Sequence, residues 1–229
     1  MIDHEHKFVY VRVPKTGSSS VMSTLFPELW PKHVSRDTPG SWLYDKSHVP
    51  LDMIKDELTS EQYNSYFKFS FVRNPYDRLV SSYFYYNDWF LYHEKHQPYS
   101  CFKHFIYALL EDTISLNDRF KYTLQYPYTQ GCDYVGRYES LQSDFDHVCE
   151  QLNIPVVALP TINKLYPWRR DTPTNQHMYN YHVNNPLQPR EHYSCYYDDE
   201  ILDKITPMLQ QDLECFDYSF SDISSSQHK

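Results

Sequence analysis

Hydrophobic positions along the chain switch between a strand-like run and a helix-like period. "KFVYVRV", Lys7 to Val13, is apolar and β-branched and is closed by Pro14, which predicts a buried strand. Val21, Met22, Leu25 and Phe26 follow at the spacing of one helical face. "YFKFSFVR", Tyr66 to Arg73, predicts a second buried strand. In "NPYD", Asn74 is an N-cap, Pro75 the first helical residue and Asp77 a first-turn acid, opening a helix with Leu79, Val80, Tyr83 and Phe84 inward. "DYVGRYES" predicts a third short strand. Ser140 then caps a helix with Leu141, Phe145, Val148, Cys149 and Leu152 on one side, ended by Pro155. A last helix runs from Asp198 to Phe216 through Ile201, Ile205, Leu209 and Leu213, with Pro207 expected to kink or interrupt it. Residues 161–197 are rich in Pro, Asn, His and Tyr without a period, which predicts a long loop region.

Strands alternating with helices imply an α/β fold, a central and mainly parallel sheet flanked by helices. Such sheets bind ligands at the carboxyl ends of their strands. At 229 residues the chain is expected to be a single domain over 1–229, with its core in 7–220 and a disordered tail at 221–229.

Composition narrows the function. A net charge of −9 argues against a general nucleic-acid binder, although a locally basic cleft is compatible with it. The five cysteines, Cys101, Cys132, Cys149, Cys195 and Cys215, have no C-x-x-C spacing, and no His, Cys or carboxylate cluster has metal-ligand spacing, so no metal is expected. No apolar run precedes the first strand, so no signal peptide or membrane anchor is read and a cytoplasmic protein is expected. Tyrosine is abundant, at 23 residues. Tyr83, Tyr85, Tyr86, Tyr179 and Tyr181 could stack on sugar rings or meet a phenolic acceptor, while packing accounts for many tyrosines equally well.

Two strand-to-helix turns carry candidate chemistry. In "PKTGSSS", Gly17 allows close backbone approach, Ser18, Ser19 and Ser20 add hydroxyls, and Lys15 adds a full charge beside the unpaired amides of a helix start. The set suits a phosphate or sulfate, and it suits a plain capped helix too. The triphosphatase pattern G-x-x-x-x-G-K-[ST] is absent. At the second turn Arg73 ends a strand and Ser81 lies about two turns into the next helix. Arg73 could grip phosphate with two prongs or pair with Asp77.

Together, "VPKTGSSS" and "FSFVRNPYDRLVSSY" resemble the two nucleotide-binding motifs of the carbohydrate sulfotransferases that use 3′-phosphoadenosine-5′-phosphosulfate (PAPS). The resemblance implies a sulfotransferase fold of the P-loop nucleotide-binding type, with PAPS as donor, 3′,5′-ADP as product and no metal. It places Lys15, Thr16, Gly17, Ser18, Ser19 and Ser20 on the 5′-phosphosulfate, and Arg73 with Ser81 on the 3′-phosphate. "YVGRYESLQSDFDHVCEQL" resembles the family's Val-Gly-Arg-Phe-Glu strand and helix and adds Arg137 to the nucleotide-binding set. "YYDDEILDKITPMLQQDLECFDYSF" resembles its C-terminal segment, which ends Asp-x-x-x-Phe-x-Tyr-x-Phe.

Sulfuryl transfer needs a base for the acceptor hydroxyl and positive charge on the leaving phosphate oxygen. "DKSHVPLDMI" resembles the Gly-His-Val-Ser-x-x-Asp-Phe stretch of uronyl and heparan sulfate 2-O-sulfotransferases, which implies His48 as base; Asp52 and Glu57 are alternatives. Lys15 is the candidate for the leaving oxygen. Near "LPTINKLYPWRRDTPTNQHMYNYH", Asn163 and Lys164 fall close to a family turn that contributes to the site. Arg169 and Arg170 are candidates for the nucleotide or an anionic acceptor, or are solvated loop charges. The expected function is sulfuryl transfer to a hydroxyl of a glycan or small natural product. A P-loop kinase is disfavoured by the missing triphosphatase loop. A non-catalytic nucleotide-binding module is disfavoured by the joint presence of Lys15, His48, Arg73 and Ser81.

Overall fold

Among the described residues, three parallel strands form the centre of the sheet. In the computed structural model, which describes residues 1–29, 48–93, 99–111, 124–162 and 191–221, β2 (Phe8–Val11) pairs in parallel with β3 (Phe67–Val72), and β3 with β4 (Tyr134–Arg137). A two-residue strand, β1 (Ile2–Asp3), adds to the edge antiparallel to β2, giving the order β1-β2-β3-β4. The chain divides into two units. The first comprises Met1–Asn74, Leu124–Ile162 and Gln211–Lys229; the second comprises Pro75–Thr123 and Asn163–Gln210.

The first unit holds the sheet. Successive side chains of a strand point to opposite faces, and a parallel sheet buries both, which explains the unbroken apolar run of β2 and the burial of Lys68 and Ser70 on β3. Phe8, Tyr10, Phe69 and Phe71 point to one face, where Val21 and Met22 of α1 (Ser18–Leu25) and Phe145, Val148 and Cys149 of α7 (Leu141–Leu152) pack on them. The register sets Tyr10 opposite Phe69, and their rings stack at 5.1 Å. Val9 and Val11 point to the other face, against Leu51 and Ile54 of α2 (Leu51–Lys55) and Tyr128 of α6 (Tyr126–Thr129). Between them, α3 (Ser60–Ser65) is opened by a reciprocal cap of Thr59 and Gln62. Lys68, on a buried face of β3, is satisfied by the carbonyls of Tyr63 and Tyr66 and by Asp133 Oδ2 at 2.9 Å.

The second unit contains α4 (Pro75–His93), α5 (Phe102–Leu110), a 3₁₀ turn at Tyr193–Tyr196, and α8 (Asp199–Phe216) as far as Gln210. It is built on aromatic edges: Tyr83, Phe102, Phe105, Tyr196 and Tyr197 meet at centroid distances of 4.9–5.9 Å.

Two local expectations change. Helix α8 runs on through Pro207, which lies on its exposed side, while Ile201, Ile205 and Leu209 bury the other face. Ser140 stands at the N-cap position of α7 without capping an amide; its hydroxyl instead donates to Asp144 Oδ2 at 2.8 Å. Residues 163–190 of the expected 161–197 loop region, and 222–229 of the expected 221–229 tail, lie outside the described residues. Among the described residues no helix is long and apolar enough to cross a membrane.

Candidate functional site

The carboxyl ends of β2, β3 and β4 bring the candidate residues of the first unit together. After β2 the chain turns through Pro14–Gly17 into α1, and two residues take the left-handed conformation, Lys15 at φ 68° and Gly17 at φ 77°. Gly17 is the N-cap of α1, and no side chain caps that helix. A Cβ on Gly17 would stand 2.6 Å from Leu141 Cδ2 and 3.2 Å from Tyr138 Cδ2, so the loop is seated against the exit of β4. Thr16 is fully buried and its hydroxyl donates to the Val13 carbonyl at 2.9 Å. That proton is committed to closing the turn. Ser18 and Ser20 are buried, and Lys15 and Ser19 half-buried.

Arg73, one residue beyond β3, reaches the same loop. Its guanidinium donates from Nη1 to the Lys15 carbonyl at 3.2 Å and lies over the Tyr138 ring at 4.1 Å. The residue is buried, so its charge acts at short range with little screening by water. Lys15, Arg73 and the start of α1 therefore meet at one end of the sheet, two positive side chains beside a helix N-terminus. This donor set fits a phosphorylated or sulfated ligand.

His48 is anchored beside the strand that feeds the loop. Its Nδ1 lies 2.9 Å from the carbonyl oxygen of Arg12. A carbonyl only accepts, so Nδ1 carries the proton, and in the neutral ring Nε2 is the basic nitrogen. The alternative bases Asp52 and Glu57 are exposed, on α2 and just after it.

The remaining expected residues divide. Arg137 closes β4 with its guanidinium donating to the Phe216 carbonyl at 2.6 Å and lying over the Tyr218 ring at 4.7 Å. Ser81 is half-buried on α4, within the second unit. Asn163, Lys164, Arg169, Arg170, Tyr179 and Tyr181 lie outside the described residues, as does the side chain of Tyr86. Four groups next to these residues were missed in the sequence. Tyr138 underlies Arg73, Gln125 bonds its main chain, Asp212 holds Gln125, and Glu139 bonds Asn74. Asp212 stands in the C-terminal Asp-x-x-x-Phe-x-Tyr-x-Phe pattern, which was a usable signal; Gln125 sits in an aperiodic stretch and had none. Among the described residues no group of His, Cys, Asp and Glu is placed to hold a metal ion.

Comparison with known proteins matches residues 1–219 to the Sulfotransferase family. Human carbohydrate sulfotransferase 9 is 26% identical over 188 residues, covering 67% of this chain and 41% of that protein. Carbohydrate sulfotransferase 10 of Pongo abelii is 27% identical over 104 residues, covering 42% of this chain and 27% of that protein. The aligned chain thus spans less than half the length of these curated relatives.

Proposed function

The chain belongs to the sulfotransferase family, and on that premise we propose that it transfers a sulfuryl group from PAPS to a hydroxyl of a glycan. The observation that carries the proposal is the grouping, in one unit, of a half-buried lysine in a left-handed turn, a buried arginine bonded to that turn, and a histidine whose basic nitrogen is set by a main-chain carbonyl. The carbohydrate acceptor is supported by the names of the two relatives, both carbohydrate sulfotransferases.

The donor supplies a sulfuryl group already activated by its phosphate leaving group. The main-chain amides of residues 16–20 and the charge of Lys15 bind its 5′ end, as helix starts bind anions generally. Lys15 balances the negative charge that grows on the leaving oxygen. Arg73 grips the 3′-phosphate, its orientation held by the Lys15 carbonyl and the Tyr138 ring. Ser81 is assigned to the same phosphate by the sequence motif alone, and Arg137 is assigned to the nucleotide in the same way. His48 takes the acceptor proton at Nε2, while its Nδ1–H stays bonded to the Arg12 carbonyl and keeps the ring in that tautomer.

The test is incubation with labelled PAPS and a panel of glycan, phenolic and small-alcohol acceptors, read by mass spectrometry. Label on a glycan hydroxyl supports the proposal. Label on phenols alone would overturn the acceptor, and no transfer to any acceptor would overturn the activity.

A further inference from the structure

Arg73 stands where β3 has lost its strand partner, because the β3–β4 register ends at Val72 opposite Arg137. A side chain takes the partner's place. Gln125 Oε1 accepts the Arg73 N–H at 2.9 Å, and Gln125 Nε2 donates to the Arg73 carbonyl at 2.8 Å. The fully buried amide is itself fixed by the fully buried carboxylate of Asp212, which accepts the main-chain N–H groups of Gln125 and Tyr126 at 2.8–2.9 Å. The same carboxylate accepts the second Nε2 proton of Gln125 at 3.2 Å, which determines which end of the amide faces the Arg73 carbonyl. The next residue is held from the other side. Glu139 Oε1 accepts the Asn74 N–H at 2.7 Å, and its Oε2 accepts the Tyr218 hydroxyl at 2.7 Å. Asn74 Nδ2 donates to the Ser219 carbonyl at 2.9 Å.

We infer that Gln125 and Asp212, with Glu139 and Tyr218 as a second arm, are positioning residues that hold the main chain at Arg73–Asn74 so that the Arg73 guanidinium meets the 3′-phosphate. The inference rests on the proposed role of Arg73. It gives the C-terminal stretch from Asp212 to Ser219 a function at the nucleotide site. Buried carboxylates and amides are costly unless fully bonded, and this network supplies the bonds while fixing the backbone just beyond the end of the β3–β4 ladder.

The experiment measures, by calorimetry on folded protein, how much more tightly 3′,5′-ADP binds than 5′-AMP, which lacks the 3′-phosphate. In the unaltered chain a preference on the order of 10–100-fold is expected from one charge-assisted contact. Gln125→Met keeps the length of the side chain and removes its amide; its preference falls toward one while 5′-AMP binding is kept. Tyr218→Phe removes only the hydroxyl that holds Glu139, and it lowers the preference by a smaller factor. It decides the matter if Gln125→Met does not fold. General destabilisation would weaken both nucleotides alike and leave the preference intact. Wild-type preference in the folded variants overturns the inference and leaves the Arg73 assignment standing. No preference in the unaltered chain overturns the Arg73 assignment, and the inference with it.

Discussion

Gly17 offers a test of the loop that requires no ligand. Substitution to alanine adds a Cβ in a left-handed backbone at φ 77°, 2.6 Å from Leu141 Cδ2. The backbone term costs about 1–2 kcal/mol. The Leu141 methyl is the far end of a flexible side chain and can give way, which puts the crowding at the low end of overpacking, about 1 kcal/mol. The sum, about 2–3 kcal/mol, lowers Tm by about 4–12 °C in a chain of this size. Gly131 is the matched control. It has φ 83°, and a Cβ there meets Leu51 Cδ2 and Tyr63 Oη at 3.4 Å, close to ordinary contact, so Gly131→Ala carries the backbone term alone. Thermal melts of the two variants followed by circular dichroism separate the terms. If Gly17→Ala melts at or above Gly131→Ala, the loop is not seated against Tyr138 and Leu141 as described.

Three further outcomes are expected. Lys15→Ala keeps the fold by circular dichroism and lowers turnover with PAPS about 10²–10³-fold; an unchanged rate would remove Lys15 from the leaving oxygen. His48→Ala loses about 10²–10⁴ in turnover while 3′,5′-ADP affinity, measured by calorimetry, is kept; lost nucleotide binding would make His48 structural. Burial pushes the Cys132 thiol up to about 12, whereas Cys101, Cys195 and Cys215 are exposed. Maleimide at neutral pH therefore labels those three and spares Cys132, as read by peptide mass spectrometry. Since the native Cys132 pKa exceeds its ordinary value of 9.0, its contribution to stability is complete below about pH 9 and is lost as pH rises toward 12. Denaturant melts across that range show the decline, and a flat profile would contradict it.

The sheet was legible because its strands are buried on both faces. "FVYV" has no alternation, and in "FKFSFV" the alternating Lys68 and Ser70 are buried with the aromatics between them, while the glycine, proline and asparagine that follow mark strand-to-helix turns. The edge strand Ile2–Asp3 was not legible, since two residues carry no period. Pro207 does not interrupt α8, although its missing N–H costs the helix one main-chain hydrogen bond. The apolar face of Ile201, Ile205 and Leu209 outweighs it where the ring faces solvent. At the candidate site, the placement of Lys15, Gly17 and Arg73 just beyond β2 and β3 was legible because each follows a strand-like run. The polar supports were not, since Asp212 on a helix reads as a solvated acid until its partner Gln125, 87 positions away, is brought to it by the fold.

The central claim, a site built for PAPS rather than for a nucleoside triphosphate, is tested most directly by thermal shift with 3′,5′-ADP against ATP plus magnesium. At about 100 times its dissociation constant a ligand stabilises the native state by about 2.7 kcal/mol. That raises Tm by about 5–11 °C for a domain of this size. This rise is expected with 3′,5′-ADP and none with ATP plus magnesium; a rise with ATP plus magnesium alone would contradict a PAPS site.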